Sequence, residues 1–400
     1  MARILIAGGS LGGLLVANLL CRAGHNVQLL EKVTGSLDGR GAGIVTHAAL
    51  CEGLLRAGAK VDDSLGVPVQ SRVVLDASGQ ISASLALPQV LTSWSRLYAL
   101  LFEVLPRECY HPGMVVTRVE ALAQGVRVHT ESGHVFEGDV LIASDGLRSA
   151  VRAQLAPLAV PQYAGYFAWR GVCDEAVLSR HTLATMFEHF AFGLPEGEQM
   201  IGYPVAGPAN ATAPGRRRYN FVWYRPAAEA TGLRQVLTDA DGEFHPLGIP
   251  PHKVSWRQVA AMREAARQRL APQFAELVEK TAQPFLQAIF DVASQRLAFD
   301  RVALMGDAAF VARPHVGKGV TKAAQDAMAL ADCIAAHGAT PQALQAYEQQ
   351  RLLPGQAVVQ QARDMGAYLQ SQTLGDGAPK PLRDVAAVLR DTAVDFAPVA

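Results

Sequence analysis

The chain has 400 residues, half of them apolar and 18% charged, which is enough to bury more than one large core. Its 36 Lys plus Arg balance 36 Asp plus Glu, so the basic excess of a nucleic-acid or anionic-membrane binder is missing. The five cysteines show no C-x-x-C or zinc spacing, and no stretch approaches the roughly 20 apolar residues of a membrane span; reduced thiols, no bound metal, no targeting segment and a cytoplasmic location are the expectations.

Arg3 to Ala7 is an apolar run of strand length. Leu11 to Ala23 carries leucines at helical spacing, with Gly24 where a C′ glycine stands. Val27 to Leu30 reads as a second strand that ends at Glu31. Together these predict a β-α-β unit with a parallel pair and a right-handed crossover. A hairpin follows, Val73–Leu75 and Ile81–Leu85, then a helix over Leu97–Leu105. Val115–Leu122, Val126–Thr130 and His134–Glu137 predict a meander, and Val140–Ala143 a buried strand. Tyr163 to Tyr224 alternates and is rich in aromatics, which predicts a second, antiparallel sheet. The run Arg216-Arg217-Arg218 reads as a solvated loop, with contact to a cofactor phosphate as the alternative. Trp256–Leu270 is helical and Val302–Met305 is another buried strand. Thr321–His337 is a long helix, and Thr340-Pro341 opens a further one to about Gln361. A short helical stretch, Leu382–Arg390, lies in the tail. The fold class is α/β: a Rossmann-type domain with a parallel sheet, a β-sheet domain and C-terminal helices.

Three stretches carry chemistry. Residues 8 to 13, GGSLGG, fit both a G-x-S-x-G nucleophile elbow and a G-x-G-x-x-G phosphate turn with Ser10 at the middle glycine. The elbow needs an upstream strand and oxyanion loop, and only nine residues precede Ser10, although Asp307 and His315 follow in triad order. The turn suits the context: Gly8 for the tight turn, Gly13 for close helix packing, Glu31 for ribose hydroxyls. The second stretch, residues 138 to 152, holds Asp145-Gly146 after a buried strand. In the third, residues 301 to 330, Gly306-Asp307 sets an acid at a strand's carboxyl end, where it accepts from sugar or polyol hydroxyls. Pro314 stiffens the following loop, and Gly317 and Gly319 leave N–H groups open before a helix. A P-loop is excluded by Ala312 and Gly319 at its required positions.

These stretches, in this order, resemble the FAD-dependent aromatic hydroxylases of the 4-hydroxybenzoate hydroxylase type, over nearly the whole chain. GGSLGGL, GAGIV, TSWSRLY, YAGYFAWRGV and ARPH are most similar to the dihydroxypyridine hydroxylase branch. The resemblance implies that Gly8, Ser10, Leu11, Gly13, Glu31, Lys32 and Arg40 hold the ADP half of FAD. It implies that Asp145 and Gly146 serve FAD and pyridine-nucleotide binding, and that Asp307 binds the ribityl chain. Pro314, Gly317, Lys318, Gly319 and Val320 would face the flavin's pyrimidine edge, and Gly43 would line the isoalloxazine. Two positions depart from the pattern: Trp94 stands where many relatives carry Arg, and Lys318 where Gln is usual.

The implied division is a FAD-binding domain (1–72, 93–158 and 285–338), a β-sheet substrate domain (73–92 and 159–284) and a C-terminal helical region (339–400). The implied reaction uses NADH or NADPH, FAD and dioxygen to form a flavin C4a-hydroperoxide. That species hydroxylates a small hydroxylated aromatic or N-heteroaromatic ring, 2,6-dihydroxypyridine-like rings being favoured. His315, His47 and Tyr203 are the candidates for handling the ring's proton; His189 reads as structural, and Trp169 and Trp223 as core. A homodimer is one option for the assembly. The alternatives are another redox chemistry on this fold (reductase, dehydrogenase or halogenase) or a non-catalytic FAD-binding protein. The G-W-x-W-x-I-P stretch of halogenases is absent from the sequence.

Overall fold

The computed structural model describes residues 1–35, 37, 43–374 and 384–394. Strand Arg3–Ala7 is apolar at every inward position and becomes the centre of a six-stranded sheet. It pairs in parallel with Asn26–Glu31 on one side and Val140–Ala143 on the other. Val140–Ala143 pairs in parallel with Val302–Leu304. The β-α-β unit is therefore present, and all three chemical stretches leave neighbouring parallel strands at the same carboxyl edge, where ligands bind open α/β sheets. Helices Leu11–Arg22 and Gly319–His337 cover one face. The meander of Val116–Leu122, Gly125–Thr130 and Val135–Gly138 forms a separate three-stranded sheet.

A nine-stranded sheet makes the other half. Its centre is Gln162–Asp174, Arg218–Pro226 and Gln199–Val205, antiparallel as the alternating pattern predicts. Two features depart from the expectation. Strand His189–Gly193 pairs in parallel with Val67–Leu75, so the sheet is mixed. The hairpin strands run longer, Val67–Leu75 and Ile81–Ser93, because small polar residues on the open face dilute the alternation. The sheet also takes in Gly43–Val45 and Phe285–Ala293.

The two faces of this sheet differ. The rear face buries Trp169, Trp223 and Phe221 against helices Trp256–Arg269 and Pro272–Lys280, at about 1.5–3 kcal/mol of burial per large side chain. Both tryptophans are thus core, and Trp223 Nε1 donates to Glu198 at 2.9 Å. The front face carries Tyr166, Phe190, Ile201, Tyr203, Val222 and Tyr224. His189 bonds Ser71 on the neighbouring strand Val67–Leu75. The basic run is not a free loop. Arg217 pairs with buried Glu175, and Arg218 opens a strand and pairs with Asp174.

The last long helix, Pro341–Gln370, continues past the expected end and through Pro354. Small residues let it lie on the sheet: a Cβ on Gly355 would sit 2.2 Å from Phe310, and one on Gly366 2.3 Å from the Tyr166 hydroxyl. Helix Val385–Asp391 then returns over the front face, where Leu389 and Ala393 are buried. Among the described residues no helix is long and apolar enough to cross a membrane.

Candidate active site

Two cavities are lined by the three stretches that carry chemistry. The first, about 490 Å³, is lined by Gly8, Ser10, Glu31, Lys32, Asp145 and Gly146 among others. Gly8 has φ +99°, and a Cβ there would lie 2.4 Å from the Ser144 carbonyl oxygen. A Cβ on Gly13 would lie 1.8 Å from the Gly8 carbonyl oxygen. These are the tight-turn and close-packing roles of a dinucleotide turn. Ser10 is exposed, has ordinary extended backbone, and its side chain does not cap the helix it precedes. The strained elbow of a hydrolase is therefore absent, and the first helical N–H groups stay available to an anion. Glu31 ends its strand in the cavity and accepts from Gly9 N–H at 2.7 Å and Val33 N–H at 2.9 Å. Each carboxylate oxygen has lone pairs to spare for hydroxyl donors. Arg40, with Gly41 and Ala42, lies outside the described residues.

Asp145 caps the next helix through Oδ2, which accepts from Ala150 N–H at 2.9 Å. Its Oδ1 is buried without a hydrogen-bond partner, and burial raises its carboxyl above the usual range. An orphaned buried acceptor beside a phosphate turn fits a cofactor whose donors complete it. Arg152, a residue the motifs did not single out, is 3% exposed. It donates to the carbonyls of Gly146, Leu147, Asp307 and Ala308 and so ties the second and third stretches together.

The second cavity, about 270 Å³, runs from Asp307 and the loop Pro314–Val320 to the front face of the large sheet. Asp307 opens onto it yet lies deep among protein atoms, which raises its carboxyl. Gly317 has φ +62°, and helix Gly319–His337 begins with no side-chain cap. A Cβ on Gly319 would meet nothing within 4 Å. The open helix start again favours negative charge. Gly43 donates to buried Asn220 at 3.0 Å, and a Cβ on it would strike Tyr203 at 2.2 Å. The glycine lets the chain pass against the tyrosine ring.

Of the three proton-handling candidates, only Tyr203 lines this cavity. It stacks on Phe190 at 4.9 Å, and burial pushes its phenol up to about 12. His315 is 2% exposed behind the loop, 2.9 Å from the Tyr166 hydroxyl and with its ring centre 4.4 Å from that of Tyr224. His47 is buried at the start of helix Ala48–Arg56, with Nδ1 2.7 Å from Thr321 Oγ1. It lines a different cleft.

The cavity's further polar residues were not singled out by motif. Arg170 and Gln287 face it together, Nη1 to Oε1 at 2.7 Å. Thr392 and Ala393 close it from the C-terminal end. They are fastened by Arg72, fully buried, whose guanidinium donates to the carbonyls of Leu389, Thr392 and Ala393 and to Gln89. Ala393 N–H donates to the His315 carbonyl at 3.1 Å.

Residues 163–291 match a family model described as FAD binding domain-like. The chain is 31% identical to 2,6-dihydroxypyridine 3-monooxygenase of Paenarthrobacter nicotinovorans, covering 92% of this chain and 91% of that protein. It is 25% identical to 6-hydroxynicotinate 3-monooxygenase of Pseudomonas fluorescens, over 84% and 83% of the two. The solved structure of 2,6-dihydroxypyridine-3-hydroxylase from Arthrobacter nicotinovorans superposes with a TM-score of 0.89 at 29% identity, covering 100% of this chain and 98% of that one.

Proposed function

From the premise that the chain belongs to the FAD-dependent aromatic monooxygenases, we propose that it hydroxylates a small hydroxylated N-heteroaromatic ring of the 2,6-dihydroxypyridine type, with NADH or NADPH as reductant. The observation that carries the substrate class is the second cavity. It is small and walled by Tyr203, Tyr224 and Phe190, with Arg170, Gln287 and Arg313 among its polar side chains, which suits a flat single ring bearing polar substituents.

FAD, when bound, supplies hydride acceptance from the reduced nicotinamide and activation of dioxygen. The residues present fit it. Gly8, Ser10, Leu11 and Gly13 would hold the pyrophosphate on open helix N–H groups, with Glu31 and Lys32 at the adenosine end and Asp145 and Gly146 beside it. Asp307 would accept from the ribityl hydroxyls. Gly43, Pro314 and Gly317 to Val320 would surround the ring system, and the open N–H groups there favour negative charge on its pyrimidine edge.

The protein's own work is to exclude water and to fix the ring's oxygen. Tyr203, its phenol held neutral by burial, donates a hydrogen bond to that oxygen. His315 acts through Tyr166, and His47 through Thr321, as positioning residues. The strap Thr392–Ala393 and the aromatic wall keep water out. The three-part division of the chain, a cytoplasmic location and a homodimer complete the proposal; sizing chromatography reads the last. The test is a panel of 2,6-dihydroxypyridine, 6-hydroxynicotinate and 4-hydroxybenzoate with the FAD-loaded protein. A dihydroxypyridine should stimulate NADH or NADPH oxidation and emerge heavier by one oxygen atom. No stimulation by any ring would overturn the reading.

A further inference from the structure

Outside both cavities the structure brings two thiols together. Cys21 lies in the last turn of helix Leu11–Arg22, and Cys109 ends the turn Arg107–Cys109 that leads into strand Tyr110–Pro112. They are 88 residues apart in the chain, yet their Sγ atoms are 3.5 Å apart, within reach of an S–H hydrogen bond. All five cysteines are free thiols. Burial, and then the neighbouring sulfur, push the Cys21 thiol up to about 12, so the pair rests protonated. A disulfide holds its sulfurs about 2.05 Å apart, so these two must close by about 1.5 Å. Both sit at element ends, where the backbone yields most easily. The elements they end flank the nucleotide site. The first residues of helix Leu11–Arg22 belong to the phosphate turn, and Tyr110 packs against that turn: a Cβ on Gly9 would lie 2.9 Å from its ring. The strand of Tyr110 pairs with Asn26–Glu31, which ends in the carboxylate of the first cavity.

We propose that Cys21 and Cys109 are an oxidation site: hydrogen peroxide converts the pair to a disulfide that clamps the nucleotide-binding half of the molecule. Cys21 is the more exposed of the two and meets the oxidant first. Its thiolate sulfur takes one peroxide oxygen as the O–O bond breaks, giving a sulfenic acid and hydroxide. The Cys109 sulfur then attacks the Cys21 sulfur, the S–O bond breaks and water leaves. In sum the two thiols give up two electrons and two protons, and one peroxide becomes two waters. The thiolate is the reacting form, so the raised Cys21 thiol makes the first step slow. The clamp therefore answers sustained exposure and ignores brief exposure. The source of the oxidant rests on the monooxygenase reading. When no ring accepts oxygen, two electrons and two protons pass from reduced nicotinamide and solvent to dioxygen, which leaves as hydrogen peroxide.

The FAD-loaded, fully reduced protein is treated with millimolar hydrogen peroxide, alkylated, digested and mapped by mass. The expected product is a peptide pair joined through Cys21 and Cys109, lighter by two hydrogen atoms, with Cys51, Cys173 and Cys333 still alkylated. The melting temperature should rise by about 5 °C, because a cross-link closing so long a loop constrains the unfolded chain. Release of FAD should slow by about threefold, because the clamped turn opens less often. A dithiol reductant should reverse all three changes. Cys109→Ser should abolish them, and Cys173→Ser should keep them. Untreated Cys109→Ser should turn over like the reduced wild type. Oxidation that stops at a sulfinic acid on Cys21, or a link through any other cysteine, overturns the proposal, as does an equal rise in melting temperature in Cys109→Ser. Should that variant fail to fold, the wild-type peptide map decides alone. A second arm supplies NADH and dioxygen without a ring. The same link should form, and catalase should prevent it. Peroxide that reaches the added concentration without forming the link overturns the proposal. Failure of the monooxygenase reading shows separately, as a link formed by added peroxide in a protein that neither makes peroxide nor hydroxylates any ring.

Discussion

The two cavities hold ligands by different means. The nucleotide end is mostly backbone: glycines at 8 and 13 and an uncapped helix start, joined by two carboxylates that follow strands, Glu31 and Asp145. The ring end is made of side chains brought from far apart in the chain, with Arg170 bonded to Gln287 and Arg72 to residues 389–393. A backbone site tolerates no added atoms but is indifferent to many side chains. A side-chain site is set by a few identities and is sensitive to each.

The largest expected effect is therefore at a glycine. Gly13→Val forces atoms into the Gly8 carbonyl, where even a Cβ sits at 1.8 Å. Flavin affinity should fall by more than about 100-fold, since strain of a few kcal/mol costs tenfold per 1.4 kcal/mol. The protein should purify colourless while its circular dichroism stays folded. Next comes Arg72→Met, which orphans three buried carbonyls of the strap at about 1–3 kcal/mol each. Residues 385–393 should then exchange amide hydrogens at least tenfold faster, with flavin content unchanged. If flavin is lost as well, the two ends are not independent.

A smaller effect distinguishes Asp307, which joins the ends. Its carboxyl is open to the cavity yet crowded by protein atoms, which raises it above its unfolded value, so ionisation weakens the folded state as pH rises past the unfolded value near 3.8. Asp307→Asn should raise the melting temperature of the flavin-free chain at pH 8, with the gain vanishing as pH falls towards 4. It should also weaken FAD binding. The smallest effect is Ser10→Gly, within about 0.5 kcal/mol because glycine is nearly as good at a helix N-cap. Flavin and turnover should both persist. A hydrolytic serine would not survive the change.

The same contrast governs what could be read from the chain. The nucleotide end was legible because its glycines, helix start and Glu31 are local and in fixed order. Asp145 and Asp307 follow buried strands whose parallel pairing brings them to one edge. The ring end was legible only in kind. The alternation of Phe167-Ala168-Trp169-Arg170 puts Arg170 opposite Trp169, but not which face meets a cavity; that depends on helices Trp256–Arg269 and Pro272–Lys280 covering the other side. His315 follows Pro314 in a loop that does border the ring cavity, yet its side chain turns inward to Tyr166 and Tyr224. Arg72 gives no local signal, since every strap carbonyl it binds lies more than three hundred residues away.

On the function proposed above, this fold places one atom of dioxygen on a ring held in the second cavity. A single turnover under isotopically labelled dioxygen, with reduced nicotinamide and 2,6-dihydroxypyridine, tests it most directly. The new hydroxyl should carry the heavy oxygen, with about one product formed per nicotinamide oxidised. Label absent from the product, or nicotinamide consumed without any hydroxylated ring, would contradict it.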